Sequence, residues 1–144
     1  MSKNRESFKD IIKFFDDVSA LVDELFDSEF ELPFISTYFN PATDIFETAK
    51  NLFVIFEIPG VDKNDLHIAI GPTMVLIQGI KRPNELMQQG ASFHNLDISY
   101  GIFKKRVYLP SRIILNSVQV TLENGLLTME FNKDKKQVRP IEIE

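Results

Sequence analysis

The chain has 144 residues, no Cys and a net charge of −5. This length allows one domain with a hydrophobic core and an additional segment. The lack of Cys excludes disulfides and thiolate metal sites and is compatible with a reducing compartment. The acidic charge argues against a nucleic-acid partner. Because neither a signal peptide nor an apolar run of about 20 residues is recognisable, we expect a cytoplasmic protein without stable membrane insertion.

The first 40 residues differ from the rest of the chain in charge and in aromatic content. They hold four basic residues, nine acidic residues and seven of the thirteen Phe, whereas residues 41–144 sum to zero charge. The composition changes at Asn40-Pro41. We therefore divide the chain into an N-terminal arm (1–40), a domain (41–132) and a C-terminal extension (133–144).

The arm carries apolar residues at three- and four-residue steps, which predicts an amphipathic helix over residues 7–27. Residues 28–40 keep the aromatic side chains but lose the period, so we expect the arm to be partly disordered. Large apolar surfaces mark interaction sites, which favours self-association and the binding of other proteins. The alternative is that the arm packs on the domain of its own chain. The candidate interaction residues of the arm are Phe8, Ile11, Ile12, Phe14, Phe15, Val22, Phe26, Phe30, Phe34 and Phe39.

From Pro41 the apolar pattern has a period of two residues, with turns between short runs. The pattern predicts strands at 44–48, 52–58, 65–70, 74–80 and 98–109, and allows a short strand at 93–96 inside the long polar loop 81–96. Seven or eight short strands without intervening helices predict an all-β protein, an immunoglobulin-like antiparallel β-sandwich.

Residues 118–131 predict a hairpin with a defined register. Asn124-Gly125 between two alternating runs is typical of a type I′ turn, because both central residues need positive φ. This turn places Gln119 opposite Glu130. One face of the hairpin is then entirely apolar and consists of Val118, Val120, Leu122, Leu127, Met129 and Phe131.

The chain ends with Ile141 and Ile143, which follow a charged linker and would point the same way in an extended segment. Leaving such side chains in water is unfavourable by about 1.5–3 kcal/mol each. We therefore expect them to dock in a groove or on a sheet edge. The alternative is a last strand in the sheet of the same chain.

Six short motifs occur in the order seen in one known family, at residues 41–47, 57–66, 76–79, 100–110, 120–127 and 141–143. Among them are Pro-Gly-Val at 59–61, Asn-Gly-Leu-Leu at 124–127 and the terminal Ile-Glu-Ile. Residues 41–144 thereby resemble the α-crystallin domain of the small heat shock proteins. Two positions depart from the family pattern. Lys105, next to Arg106, replaces the usual Arg, and Lys and Arg differ in bidentate pairing, which bears on an ion pair at the dimer contact. Val120 replaces a smaller Ala.

The resemblance implies an ATP-independent holdase chaperone that binds unfolding client proteins and assembles from homodimers into larger homo-oligomers. It also implies dimerisation through the loop 81–96, with contacts from Phe93, His94, Leu96 and Lys105. Finally, it implies that Ile141 and Ile143 dock in a groove of a neighbouring subunit. That groove would be lined by Leu66, Ile68, Ile70, Val118, Val120 and Leu122.

We expect no enzymatic activity, no metal and no cofactor. Only His67 and His94 could act as imidazole bases or ligands, and neither has a partner at metal-ligand spacing. No phosphate-binding glycine motif is present. The alternative from another class is a CS-domain-like co-chaperone or adaptor that binds one folded partner, but such a protein has no use for the apolar arm and the terminal Ile pair. An extracellular adhesion sandwich is disfavoured by the missing signal peptide.

Overall fold

A computed structural model of the protein describes residues 8–14, 39–87 and 90–135. These residues form two four-stranded sheets whose strand orders are β1-β4-β5-β6 and β2-β3-β8-β7. The strands are β1 (Ile12–Phe14), β2 (Ala42–Glu47), β3 (Asn51–Glu57), β4 (Leu66–Ile70), β5 (Met74–Lys81), β6 (Gly101–Tyr108), β7 (Gln119–Glu123) and β8 (Leu126–Asn132). The β-sandwich predicted from the period-two pattern is confirmed.

The predicted strands of the domain coincide with observed ones to within three residues at each end. The short strand that the pattern allowed at 93–96 is not formed: residues 90–100 contain no strand. Two single turns of 3₁₀ helix, Lys63–Asp65 and Leu115–Ser117, precede β4 and β7. In the first turn, the Asp62 carboxylate accepts a hydrogen bond from the backbone N–H of Asn64 at 2.8 Å.

The hairpin of β7 and β8 has the predicted register. Gln119 pairs with Glu130, and Glu123 pairs with Leu126. Asn124 and Gly125 have φ values of 53° and 77°, as a type I′ turn requires. The inward face packs into a core that joins both sheets and includes Leu52, Phe56, Leu66, Ile68, Phe103, Leu127 and Phe131.

The predicted helix over residues 7–27 is wrong at Ile12–Phe14, which form β1. Residues 8–11 form a single turn, in which the Phe8 carbonyl accepts a hydrogen bond from the N–H of Ile11 at 3.1 Å. The backbone is then extended over Ile12–Phe14. β1 runs parallel to β4 and pairs Ile12 with Ile68. The physical reason is that β4 would otherwise present unpaired N–H and C=O groups at a sheet edge. Residues 15–27 of the predicted helix lie outside the described residues.

Candidate interaction surfaces

The six residues of the predicted groove lie on β4, which is second in its sheet after β1, and on or directly before β7 of the other sheet. Three of them, Leu66, Ile68 and Ile70, belong to β4 and are fully buried. Val120 and Leu122 belong to β7, which is the edge strand of the other sheet, and Val118 directly precedes it. All six belong to one hydrophobic cluster or pack against it.

Residues 8–14 of the same chain cover the β4 side of this groove. Phe8 is 2% exposed and Ile12 is 7% exposed, and both belong to the core cluster. The N–H of Ile68 donates a hydrogen bond to the carbonyl of Ile11 at 3.3 Å. The ammonium of Lys63 lies 5.5 Å from the centre of the Phe8 ring, within the range of a cation–π contact. For residues 8–14, therefore, the arm packs on its own domain.

Two further candidate residues of the arm, Phe14 and Phe39, lie within the described part of the chain. Phe14, at the end of β1, is 43% exposed. Phe39 is half-buried and meets Phe103 edge to face with ring centres 5.5 Å apart, while the ammonium of Lys81 lies 4.6 Å above the Phe39 ring. The other candidates of the arm lie outside the described residues, namely Phe15, Val22, Phe26, Phe30 and Phe34. The tail residues Ile141 and Ile143 also lie outside them.

The loop between β5 and β6 exposes large apolar side chains. Its start is fixed by Arg82, whose Nε and Nη2 donate to the two carboxylate oxygens of Asp65 at 2.8 and 3.0 Å. These hydrogen bonds and the attraction between the two charges raise the pKa of Arg82. Beyond this anchor the loop exposes Leu86, Phe93, Leu96 and Ile98, and His94 is exposed as well. The three loop residues predicted as dimer contacts thus lie on the surface of the single chain.

A second apolar surface, which the sequence analysis missed, lies on β2 and β3. Phe46 stacks on Phe53 with ring centres 5.0 Å apart, and Phe46 is 48% exposed. Ile45, on the opposite face of β2, is also exposed. The sequence could have predicted this stack. A hairpin turn at 49–50 sets a register in which Phe46 pairs with Phe53. β2 is also the edge strand of its sheet.

A polar cluster joins the β2–β3 turn to the end of β8. Ser111 Oγ donates to Glu47 Oε2 at 2.9 Å, and Lys133 Nζ lies 3.2 Å from the same oxygen. These contacts, the Ser111 hydrogen bond foremost, lower the pKa of Glu47. Lys133 Nζ also donates to the carbonyl of Thr48 at 2.9 Å. The cluster fixes the chain at Lys133, the first residue of the C-terminal extension.

The described residues contain no group of three His, Asp or Glu side chains that could hold a metal ion. His67 lies half-buried opposite Gln78, far along the chain from the exposed His94. Among the helices of the described part of the chain, none is long and apolar enough to cross a membrane.

The model of the Hsp20/alpha crystallin family matches residues 44–144. The chain belongs to this family. It is 27% identical over 138 residues to the 22.7 kDa class IV heat shock protein of Pisum sativum, covering 85% of this chain and 70% of that protein. It is 33% identical over 87 residues to the 22.0 kDa heat shock protein of Arabidopsis thaliana, covering 60% of this chain and 45% of that protein.

A solved structure shows the same fold. Heat shock protein 16.0 from Schizosaccharomyces pombe superposes with a TM-score of 0.63 at 22% identity, over 74% of this chain and 97% of that one. Membership in the Hsp20/alpha crystallin family supports a chaperone role in the stress response. The family is generally non-enzymatic.

The two departures from the family pattern have local explanations in the structure. Lys105 Nζ donates to the carbonyl of Pro41 at 2.7 Å, so within one chain it holds the start of β2 against β6. Val120 is 3% exposed and lies in the same cluster as Phe8 and Ile12. The larger side chain at position 120 is thus accommodated while residues 8–14 cover the groove.

Proposed function

We propose that the protein is an ATP-independent holdase chaperone of the cytoplasm that binds unfolding proteins and prevents their aggregation. The observation that carries this proposal is the set of exposed apolar side chains in the loop 82–100, where Leu86 is 82%, Leu96 61% and Ile98 62% exposed. Exposed apolar surface, when it forms a large patch, marks sites that bind other proteins, and these three side chains belong to one loop. Membership in the Hsp20/alpha crystallin family supports the same function.

The loop is the proposed dimer contact. The described part of the loop is longer than the two to five residues of an ordinary hairpin connection, and its large apolar side chains stay exposed in the described part of the chain. β2 of a second subunit is a suitable acceptor, because it is an edge strand with exposed Ile45 and Phe46. Addition of a strand to such an edge provides backbone hydrogen bonds and side-chain pockets together.

The tail is the proposed contact between dimers. Ile141 and Ile143 would dock between β4 and β7 of a neighbouring subunit, where the lining side chains are apolar. Each buried Ile contributes about 1.5–3 kcal/mol before ordering costs. A single tail therefore binds weakly, whereas several tails in a closed assembly bind cooperatively.

We propose that the arm (1–40) drives assembly beyond the dimer and supplies client-binding surface. In this division of the chain, the domain is 41–132 and the extension is 133–144. A comparison of the full chain with a chain starting at Pro41 tests this division and the function together. We expect the full chain to be a large oligomer by size exclusion with light scattering. It should suppress the heat aggregation of a client such as citrate synthase without ATP.

The chain starting at Pro41 should be a dimer that protects the client poorly. If the full chain fails to reduce aggregation at a one-to-one subunit ratio, the holdase function is refuted. A full chain that contains only one or two subunits would instead favour an adaptor. A shortened chain with the original mass and protection would show that the arm is not needed for either property.

A further inference from the structure

Two segments of the chain have the same apolar–charged–apolar pattern. They are Ile12-Lys13-Phe14 near the N-terminus and Ile141-Glu142-Ile143 at the C-terminus. The first segment forms β1 and lies along β4. The second is the one proposed above to dock at β4 of a neighbouring subunit. A single edge of β4 cannot pair with both.

The β1 segment occupies this edge through backbone and side-chain contacts. Its three residues pair in register with Ile68, Ala69 and Ile70, and the N–H of Ile68 is used by the carbonyl of Ile11. Ile12 of this segment, and Phe8 four residues before it, are nearly fully buried in the core. The exposed neighbours Lys9 and Asp10 take no part in this packing.

The β1 segment belongs to the same chain as β4, which gives it an advantage over any tail. Residues 15–38 connect β1 to Phe39 and hence to the domain. A covalently linked occupant acts at an effective concentration on the order of millimolar, above the subunit concentration of a dilute solution. A tail from another subunit therefore binds only to the fraction of chains in which β1 has left, and its apparent affinity falls by that fraction.

We propose that residues 8–14 are an internal competitor for the β4 edge, and that the tail of a second copy of this chain docks there only after they leave. This inference rests on the proposed docking of Ile141 and Ile143. It links assembly to client binding, because each docked tail releases Phe8, Ile11 and Ile12 from the core into solvent. The release enlarges the apolar surface available to unfolding proteins.

The test measures binding of a fluorescein-labelled peptide of residues 137–144 by anisotropy. The full chain carries Ile141→Ser and Ile143→Ser, so that its own tails do not compete. In this background, Phe8→Ser with Ile12→Ser should tighten peptide binding by about tenfold or more, which corresponds to a β1-free population of about a tenth or less. The matched control, Lys9→Ser with Asp10→Ser, changes two exposed residues of the same segment and should leave the affinity unchanged.

Hydrogen exchange at the amide of Ile68 reports the occupant directly, because this N–H donates to Ile11. Exchange should accelerate in the Phe8→Ser, Ile12→Ser chain and slow again when the peptide is added. The control chain should exchange at the background rate throughout.

A reversible cross-link tests the same competition with Phe8 and Ile12 left in place. Lys13 and Ala69 are directly paired, and the spacing of neighbouring strands, about 4.8 Å, lies within the Cα separation that a disulfide spans. Because the chain has no Cys, Lys13→Cys with Ala69→Cys forms one defined bond. The oxidised protein should not bind the peptide, and reduction should restore binding.

The outcomes separate the two proposals. The competition would be refuted if the peptide bound with equal affinity to the background chain, the Phe8→Ser, Ile12→Ser chain and the oxidised cross-linked chain. In that case the tail would dock at a site other than the β4 edge. Absence of peptide binding in every chain, including the one freed of Phe8 and Ile12, would refute tail docking and with it this inference.

Discussion

Substitution of Gly79 by Ala should destabilise the protein, although strand propensity alone gives the opposite sign. Gly79 lies inside β5, between Leu66 of β4 and Phe103 of β6. In a strand interior, Gly costs roughly 0.5–1 kcal/mol relative to Ala, so a neutral site would be stabilised by the change. At this site a Cβ would overlap the carbonyl oxygen of Asp65 and lie 2.7 Å from Cζ of Phe103.

The magnitude follows from which atoms could move. The Asp65 oxygen is a backbone atom in the turn before β4, and the Phe103 ring is fully buried in the core. Overpacking of a dense core costs typically about 1–3 kcal/mol, and a backbone contact places Gly79→Ala at the upper end. A loss of about 3 kcal/mol lowers the Tm of a domain of about 100 residues by roughly 12–24 °C.

Thermal unfolding followed by circular dichroism, at one fixed subunit concentration, measures this effect. Gly60→Ala is the matched control, because Gly60 has a φ of +80° but, among the described residues, its Cβ would meet only Lys81 Cε, at 3.6 Å. The control should cost only about 1–2 kcal/mol, the usual penalty for left-handed backbone. A Gly79→Ala protein with an unchanged or higher Tm would refute the argument from close packing.

Three further predictions concern assembly and pH. Deletion of residues 83–94 should yield monomers by light scattering, and surviving dimers would show that the loop is not the dimer contact. Ile141→Ser with Ile143→Ser should reduce the assembly to small oligomers with unchanged β-sheet content, and an unchanged mass at micromolar concentration would contradict tail docking. Because the folded protein lowers the pKa of Glu47, this group stabilises the fold above its unfolded pKa, and that contribution is lost as the pH falls through the folded value. Ser111→Ala should raise the pKa of Glu47 in an NMR titration, and an unchanged value would exclude the Ser111 hydrogen bond as the main cause.

The sequence by itself determined the strands of the domain and the register of the last hairpin, because both depend on local information. Period-two alternation requires only that each strand has one face toward a core, and Asn124-Gly125 specifies its turn through the φ values of two adjacent residues. The ordered motifs that led to the Hsp20/alpha crystallin family include such local features. Gly79 belongs to one of them, and the reason for a glycine there is the approach of Asp65 and Phe103 from other strands.

Only the tertiary structure decided the fate of residues 8–14. Their three- and four-residue apolar spacing fits a helix, and the spacing between Phe8 and Ile12 is indeed used, since both side chains enter the core. The backbone at Ile12 nevertheless extends, because β4 offers a parallel partner more than 50 residues further along the chain. Local periodicity reports which side chains are buried, but it carries no information about a distant sheet edge whose backbone groups need partners.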